Sequence, residues 1–323
     1  MRVGQNPLKS VQGVPQPANV SVAVVVHIPF IGGYFKDSLE VLKLCLESII
    51  ANTDLPYDLM VFDNASCPEV QEYLSGLKAN GGIQYLVLSD RNVGKVAAWN
   101  FLFAAAPGKY IAYADADVFH FPGWLAPQIE ALEQFPKAGM VTGMPLLAVE
   151  EKSSATIAWA ENTPGVKCER GHFLSWEDFW RHGGTLGRPE EEVRQYYQDN
   201  PIVRIEAEGK QYYAGASHFQ FTARKEILQQ FFPLKADRPM GQVRQLDDAI
   251  NEAGYLRLST LNYLIQHIGN QLPDDQSDAS IREFLEASPD QMIETKKSIW
   301  DLKFFKKGLQ WVYSKSFDIL YRR

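Results

Sequence analysis

Three times between Tyr57 and Asp117, an apolar run ends on polar residues. Ser21 to Ile28 (SVAVVVHI) is apolar and β-branched almost throughout, which predicts a strand buried on both faces of a parallel sheet. Asp37 to Asn52 follows, with Leu39, Leu42, Leu46 and Ile49 at helical spacing. Tyr57 to Phe62 reads as a second strand and stops at Asp63-Asn64-Ala65-Ser66, before a helix over Val70 to Lys78. Gln84 to Leu88 is a third strand, and Asn92-Val-Gly94 opens a helical segment, Lys95 to Ala106. The fourth strand, Tyr110 to Tyr113, runs into Asp115-Ala-Asp117. Strands alternating with helices predict an α/β fold with a mainly parallel, Rossmann-like sheet flanked by helices and joined by right-handed crossovers. Ligands of such sheets bind beyond the carboxyl ends of the strands, where Asp63, Asn64, Arg91, Asn92, Asp115 and Asp117 all fall.

Regularity fades from about 150 to 203, a stretch rich in Trp, Gly and charge with an acidic helix predicted over Pro189 to Gln198. It reads as an irregular insertion or lid covering one side of the site. Residues 1–19, rich in Pro, Gln and Gly, read as a flexible tail, and residues 20–272 as the main α/β domain. Residues 273–323 read as an acidic linker (Pro273 to Asp278) followed by a helical tail. There Ile299, Leu302, Phe305, Leu309 and Val312 share a face, broadened by aromatics and flanked by lysines and arginines. Such a basic amphipathic helix suits peripheral contact with an anionic membrane, while packing on the α/β domain or on a second subunit of a homodimer competes with that reading.

Charge narrows the partners. The 323 residues carry 32 Lys and Arg against 39 Asp and Glu, a net of −7, although the segment from Gln291 onward is locally basic. A general nucleic-acid surface is therefore not expected. Three scattered cysteines, Cys45, Cys67 and Cys168, predict free thiols rather than disulfides or a zinc knuckle. No apolar run approaches the roughly 18 residues of a membrane span, and the first residues lack a signal-peptide core. The expected location is cytoplasmic, with any membrane contact on the inner face.

Two carboxylates at i and i+2 after a buried strand offer hard oxygen ligands to Mn²⁺ or Mg²⁺, ions that commonly bind through one or two carboxylates plus substrate phosphates. His267, after another strand-like stretch, could complete such a site. Asp247 and Asp248 precede a short helix ending at Gly254; one can serve as N-cap, and the other is free to act as a general base.

Taken together, Asp63-Asn64-x-Ser66, Arg91-Asn92-x-Gly94 with Ala97-Ala98 and Asn100, Asp115-x-Asp117 and Pro122-Gly-Trp124 resemble the GT-A-fold glycosyltransferases of family 2. The resemblance covers about Ser21 to Leu146, and Gly215-Ala-Ser217-His218 with Phe219, Phe221 and Arg224 is similar to the family's acceptor-side segment. It implies an inverting, metal-dependent transfer from a nucleotide-diphosphate sugar, a UDP-sugar first of all, to a hydroxyl of a glycan or lipid-linked acceptor, as in polysaccharide biosynthesis. Asp63 would read the base and Asp115 would sit near the ribose. Asn64, Arg91, Asn92 and Gly94 would frame the donor, with Asp117, Asp115 and His267 at the metal. Trp124, Gly215, Ala216, Ser217 and His218 would lie on the acceptor side. The family's Glu-Asp pair before a longer helix is here Asp247-Asp248 before a shorter one, so either aspartate can be the base. Competing classes fit less well. A dehydrogenase requires G-x-G-x-x-G and a P-loop NTPase requires G-x-x-x-x-G-K-[ST], and His27-Ile-Pro-Phe-Ile-Gly-Gly33 is neither. A nucleotidyltransferase lacks its basic phosphate loop here, and a non-catalytic carbohydrate- or nucleotide-sugar-binding protein is the different-class alternative.

Overall fold

The computed structural model describes residues 4–147, 150–272 and 279–286, with the tail positions 311, 312, 315, 316 and 319. The expected acidic linker, 273–278, and the body of the tail helix lie outside the described residues. The strands are β1 (Val20–Val26), β2 (Tyr57–Asn64), β3 (Tyr85–Ser89), β4 (Tyr110–Asp115), β5 (Val118–His120), β6 (Ala138–Thr142), β7 (Lys167–Gly171), β8 (Ile202–Ala207), β9 (Lys210–Ala214), β10 (Gln220–Arg224), β11 (Leu256–Ser259) and β12 (Ile265–His267). The helices are α1 (Ser38–Asn52), α2 (Pro68–Ala79), α3 (Lys95–Ala105), α4 (Ala126–Gln134), α5 (Ser154–Asn162), α6 (Trp176–Gly183), α7 (Glu190–Asp199), α8 (Lys225–Leu228), α9 (Arg244–Glu252) and α10 (Ala279–Glu286).

Ten strands form one sheet in the order β3-β2-β1-β4-β10-β6-β11-β9-β8-β7. Its first four members pair in parallel, as their unbroken apolar runs require. The sheet turns mixed where β10 enters antiparallel between β4 and β6. The span from 150 to 203 is more regular than its sequence: α5 packs on β7, α6 and α7 pack on each other, and β7 extends the sheet antiparallel through β8 and β9. The α/β class follows directly, with helices on both faces of the sheet.

Two apolar layers sandwich the sheet. One, under α1, α2 and α4, includes Val22, Val24, Leu42, Leu46, Leu59, Val61 and Leu132. The other joins Trp99 and Phe103 of α3 to Tyr113 of β4 and Phe221 of β10, with ring centroids 5.0–6.3 Å apart in edge-on, tilted and stacked pairs. Pairs of this kind add about 0.5–1.5 kcal/mol each beyond their buried area. This aromatic block fixes the end of β4, from which the acidic residues emerge. Cys45 and Cys67 are buried free thiols and Cys168 is a half-buried one.

Trp124, expected on the acceptor side, is instead fully buried: its indole donates to Thr53 Oγ1 at 2.9 Å and faces the His120 ring at 4.5 Å. It is a core residue and cannot meet an acceptor. His120 is itself fully buried, neither ring nitrogen has a partner among the described residues, and burial pushes its pKa down to about 3. An unfolded histidine titrates near 6.5, so from about pH 6.5 down to about 3 the unfolded chain binds a proton that the folded one refuses. Stability is therefore intact above that window and falls through it as the pH drops. Melting temperature should decline from about pH 7 to about pH 5, and His120→Leu should make the decline shallower by up to ~1.4 kcal/mol per pH unit. An unchanged slope in the variant would contradict this assignment.

Candidate active site

The carboxyl ends of β1, β2 and β4 open into a cleft of about 240 Å³. Asn64, Asn92, Asp115 and Asp117 line it as expected, together with His27 and Lys95, which the sequence did not single out. A closed network holds its floor. His27 Nδ1 donates to the Asn64 carbonyl at 2.7 Å, and its Nε2 accepts from Asn92 Nδ2 at 3.0 Å. Asn64 donates to Asn92 Oδ1 at 2.9 Å, and the two asparagine oxygens receive the backbone N–H groups of Val93 and Gly94. These side chains lock the loop that starts α3.

Three of the expected donor residues are not in the cleft wall. Asp63 is fully buried beneath it and accepts from Ser66 N and Gln71 Nε2, which closes the turn into α2. Arg91 is exposed. Gly94 has φ +84° and carries the 238–240 loop: a Cβ there would stand 2.8 Å from Arg238 O and 3.3 Å from Pro239 Cα. The first N–H of α3 is taken by Pro239 O at 3.2 Å, so that loop closes the near side of the cleft with Pro239 and Met240.

The two acidic residues of Asp115-x-Asp117 have different surroundings. Asp115 is occupied: Lys95 Nζ lies 2.6 Å from its carboxylate, and the Tyr113 hydroxyl donates to Oδ1 at 2.5 Å. Asp117 is not. Its Oδ1 is buried with no hydrogen-bond partner among the described residues, while Oδ2 lies 3.3 Å from His267 Nε2. The small sheet of β5 and β12 brings them together, since His267 pairs with Val118 and Ile268 N donates to the Asp117 carbonyl at 2.7 Å. Burial pushes the Asp117 carboxyl up, but the hydrogen bond and charge of His267, with Lys95 nearby, outweigh it and leave a net lowering. Conversely, the Asp117 contact overcomes burial and raises His267.

Thr185 orients that imidazole. Its hydroxyl proton is directed at the His182 carbonyl, 2.7 Å away, so it must accept from His267 Nδ1, also at 2.7 Å. The charged ring donates from Nε2 to Asp117, and on losing that proton it would present the Nε2 lone pair on the same side, the second-sphere pattern of a metal-binding histidine. Among the described residues no group of three or more His, Cys, Asp or Glu is placed to hold a metal ion. The orphaned Asp117 oxygen and the oriented imidazole still fit a divalent ion whose remaining ligands come from substrate phosphates and water.

Asp247 and Asp248 line a second, larger cavity of about 440 Å³, walled by Phe179, Leu186 and Tyr196 of the 150–203 segment. Asp247 is buried: Oδ1 accepts from Arg257 Nη2 at 2.9 Å and Oδ2 from His218 Nδ1 at 2.6 Å. Arg257, nearly buried on β11, also donates to the carbonyls of Lys152 and Ala216, while Gly215 N donates to Arg257 O. The acceptor-side segment thus meets the predicted base through His218 and Ala216; Ser217 N is held by Thr142 Oγ1. Asp248 is more open, with Lys152 Nζ at 2.7 Å. A chain of side chains links cavity and cleft: His182, which lines the cavity, meets the His267 ring edge-on at 5.7 Å, Phe219 packs on both, and His267 reaches Asp117 of the cleft. Burial, with the His267 charge, pushes His182 down to about 3, so it is neutral at ordinary pH.

The family model described as glycosyl transferase family 2 matches residues 30–162. Over that stretch, under half of its length, the chain is similar to glycosyl transferase family 2. The matched stretch contains Asn64, Asn92, Lys95, Asp115 and Asp117 of the cleft, whereas His27, Pro239 and Met240 of its lining, and His267, Asp247 and Asp248, lie beyond it. Two proteins named uncharacterized glycosyltransferase, from Rickettsia felis and Rickettsia bellii, are each 28% identical over 89 residues, 28% of this chain. The chain spans only 14% and 13% of their lengths. Among solved structures, S. aureus TarS 1–349 with UDP and with UDP-GlcNAc align at TM-score 0.33 and 14% identity. The alignments cover 40% of this chain and 35% and 34% of those chains.

Proposed function

We propose that this protein is an inverting glycosyltransferase that moves a sugar from a nucleotide-diphosphate sugar, a UDP-sugar first, to a hydroxyl of a glycan or lipid-linked acceptor. The observation that carries this reading is the orphaned Asp117 oxygen beside His267, one side-chain layer from a cavity lined by two further aspartates. The donor occupies the cleft, with its nucleotide against His27, Asn64 and Asn92. Asp117 and His267 would hold a Mn²⁺ or Mg²⁺ ion, which would supply positive charge to the departing diphosphate. Lys95, rather than exposed Arg91, supplies the protein's own positive charge there, since it lines the cleft on Asp115.

Asp248 is the general base in this reading. It faces the cavity held only by Lys152, whereas both oxygens of Asp247 already bind Arg257 and His218. Asp248 takes the proton from the acceptor hydroxyl, whose oxygen attacks the anomeric carbon opposite the diphosphate and inverts it. Asp247 positions the neighbouring backbone. Among the described residues no helix is long and apolar enough to cross a membrane, and the proposed cytoplasmic location with peripheral contact through the tail rests on the tail sequence.

The test is release of nucleoside diphosphate from a panel of nucleotide sugars, with Mn²⁺ and with EDTA, with and without glycan acceptors. Metal-dependent release would support the reading. Donor binding without release under any condition would favour a non-catalytic nucleotide-sugar-binding protein.

A further inference from the structure

The charges around the larger cavity do not cancel. Four cationic side chains line it, Lys152, Arg188, Arg244 and Arg257, against two carboxylates, Asp247 and Asp248. Arg257 is matched by Asp247 and Lys152 by Asp248. Among the described residues, Arg188 and Arg244 make neither an ion pair nor a side-chain hydrogen bond, and both side chains are exposed at the cavity. They come from separate parts of the chain: Arg188 follows the left-handed Gly187 after α6, and Arg244 begins α9. Aromatic side chains, Phe179, Tyr196 and Tyr263, line the same space.

We infer that this cavity binds an anionic glycan, whose carboxylate or phosphate group is held by Arg188 and Arg244 while its sugar rings lie against the aromatic wall. The inference rests on the proposal that the cavity is the acceptor site, and it names the acceptor's chemical class. A guanidinium presents paired N–H donors that match a carboxylate or phosphate, and two of them around one cavity favour an anion over a neutral sugar. The donor's own diphosphate does not account for them, because they line the larger cavity and not the cleft of Asp117.

The test is equilibrium binding of tetragalacturonate, phosphopentamannose and neutral mannopentaose to the full chain, at low and moderate salt. Arg188→Gln, Arg244→Gln and the double variant are measured alongside, and their exposed positions spare the fold. At least one anionic oligosaccharide should bind, and which one does identifies carboxylate or phosphate as the group read. Mannopentaose should bind at least about tenfold more weakly, and each substitution should weaken the anionic ligand by about tenfold, with the remaining affinity less sensitive to salt. Equal binding of mannopentaose, anionic binding unchanged in the double variant, or no binding of any of the three would overturn the inference. Thermal stabilisation of the same samples by UDP with Mn²⁺ reads the donor cleft separately. Its presence beside failed oligosaccharide binding would leave the transferase reading standing and remove only the anionic acceptor.

Discussion

Asp248→Asn should lower turnover by about 10²-fold or more while leaving the affinity for nucleotide diphosphate unchanged, the loss expected when a general base is removed. Its stability should hardly change. The only ion pair removed joins side chains that are 40% and 52% exposed, and pairs so open contribute at most about 1 kcal/mol. Asp247→Ala should behave differently. It strands the Arg257 guanidinium, 3% exposed, against the carbonyls of Lys152 and Ala216 with its bonded carboxylate gone and only Asp248 left nearby, and stranding a buried charge costs about 3–5 kcal/mol. The pair of variants therefore separates chemistry from architecture, with turnover lost at constant melting temperature in one and melting temperature lost in the other. If Asp248→Asn keeps near-normal turnover while a folded Asp247→Asn is inactive, the base is Asp247.

How far these residues were legible in the sequence depends on whether their partners were close in the chain. The parallel strands and the polar groups at their ends could be read from local periodicity. Tyr57 to Phe62 extends in the structure to Asn64, and Tyr110 to Tyr113 extends to Asp115, because the ladder continues into the first polar residues. The meeting of Asp117 with His267 was foreseen only as a chemical pairing. What produces it is the β5–β12 ladder, between strands some 150 residues apart, which no local pattern encodes. Thr185 and His182 had no signal distinguishing them from other polar residues of the 150–203 segment. Arg257 did have one: an arginine within Leu256-Arg-Leu-Ser259 sits in an otherwise buried strand and must have an anionic partner. Trp124 shows the opposite failure. A motif places a residue along the chain but does not say which way its side chain points, and this one points into the core.

Asp117→Asn should abolish Mn²⁺-dependent stabilisation by UDP and reduce transfer by at least about 10²-fold, with the unliganded fold intact. The substitution keeps the shape of the side chain but replaces a carboxylate oxygen with a neutral amide, a poor ligand for a hard cation. For the unaltered protein, UDP at about a hundred times its dissociation constant adds about 2.7 kcal/mol of stability, which is several degrees of melting temperature. That increment should require Mn²⁺ or Mg²⁺ and vanish in EDTA. His267→Gln should lose a large part of it, and Thr185→Val a smaller part, since removing a second-sphere partner commonly weakens metal affinity by about 10- to 100-fold. The order of these losses carries the argument. A graded series, Asp117 then His267 then Thr185, is what a ligand pair with a positioning hydroxyl produces. Equal losses accompanied by a lower melting temperature without ligand would mean that the substitutions had only broken the β5–β12 ladder, and full UDP binding in EDTA would remove the metal from the mechanism altogether.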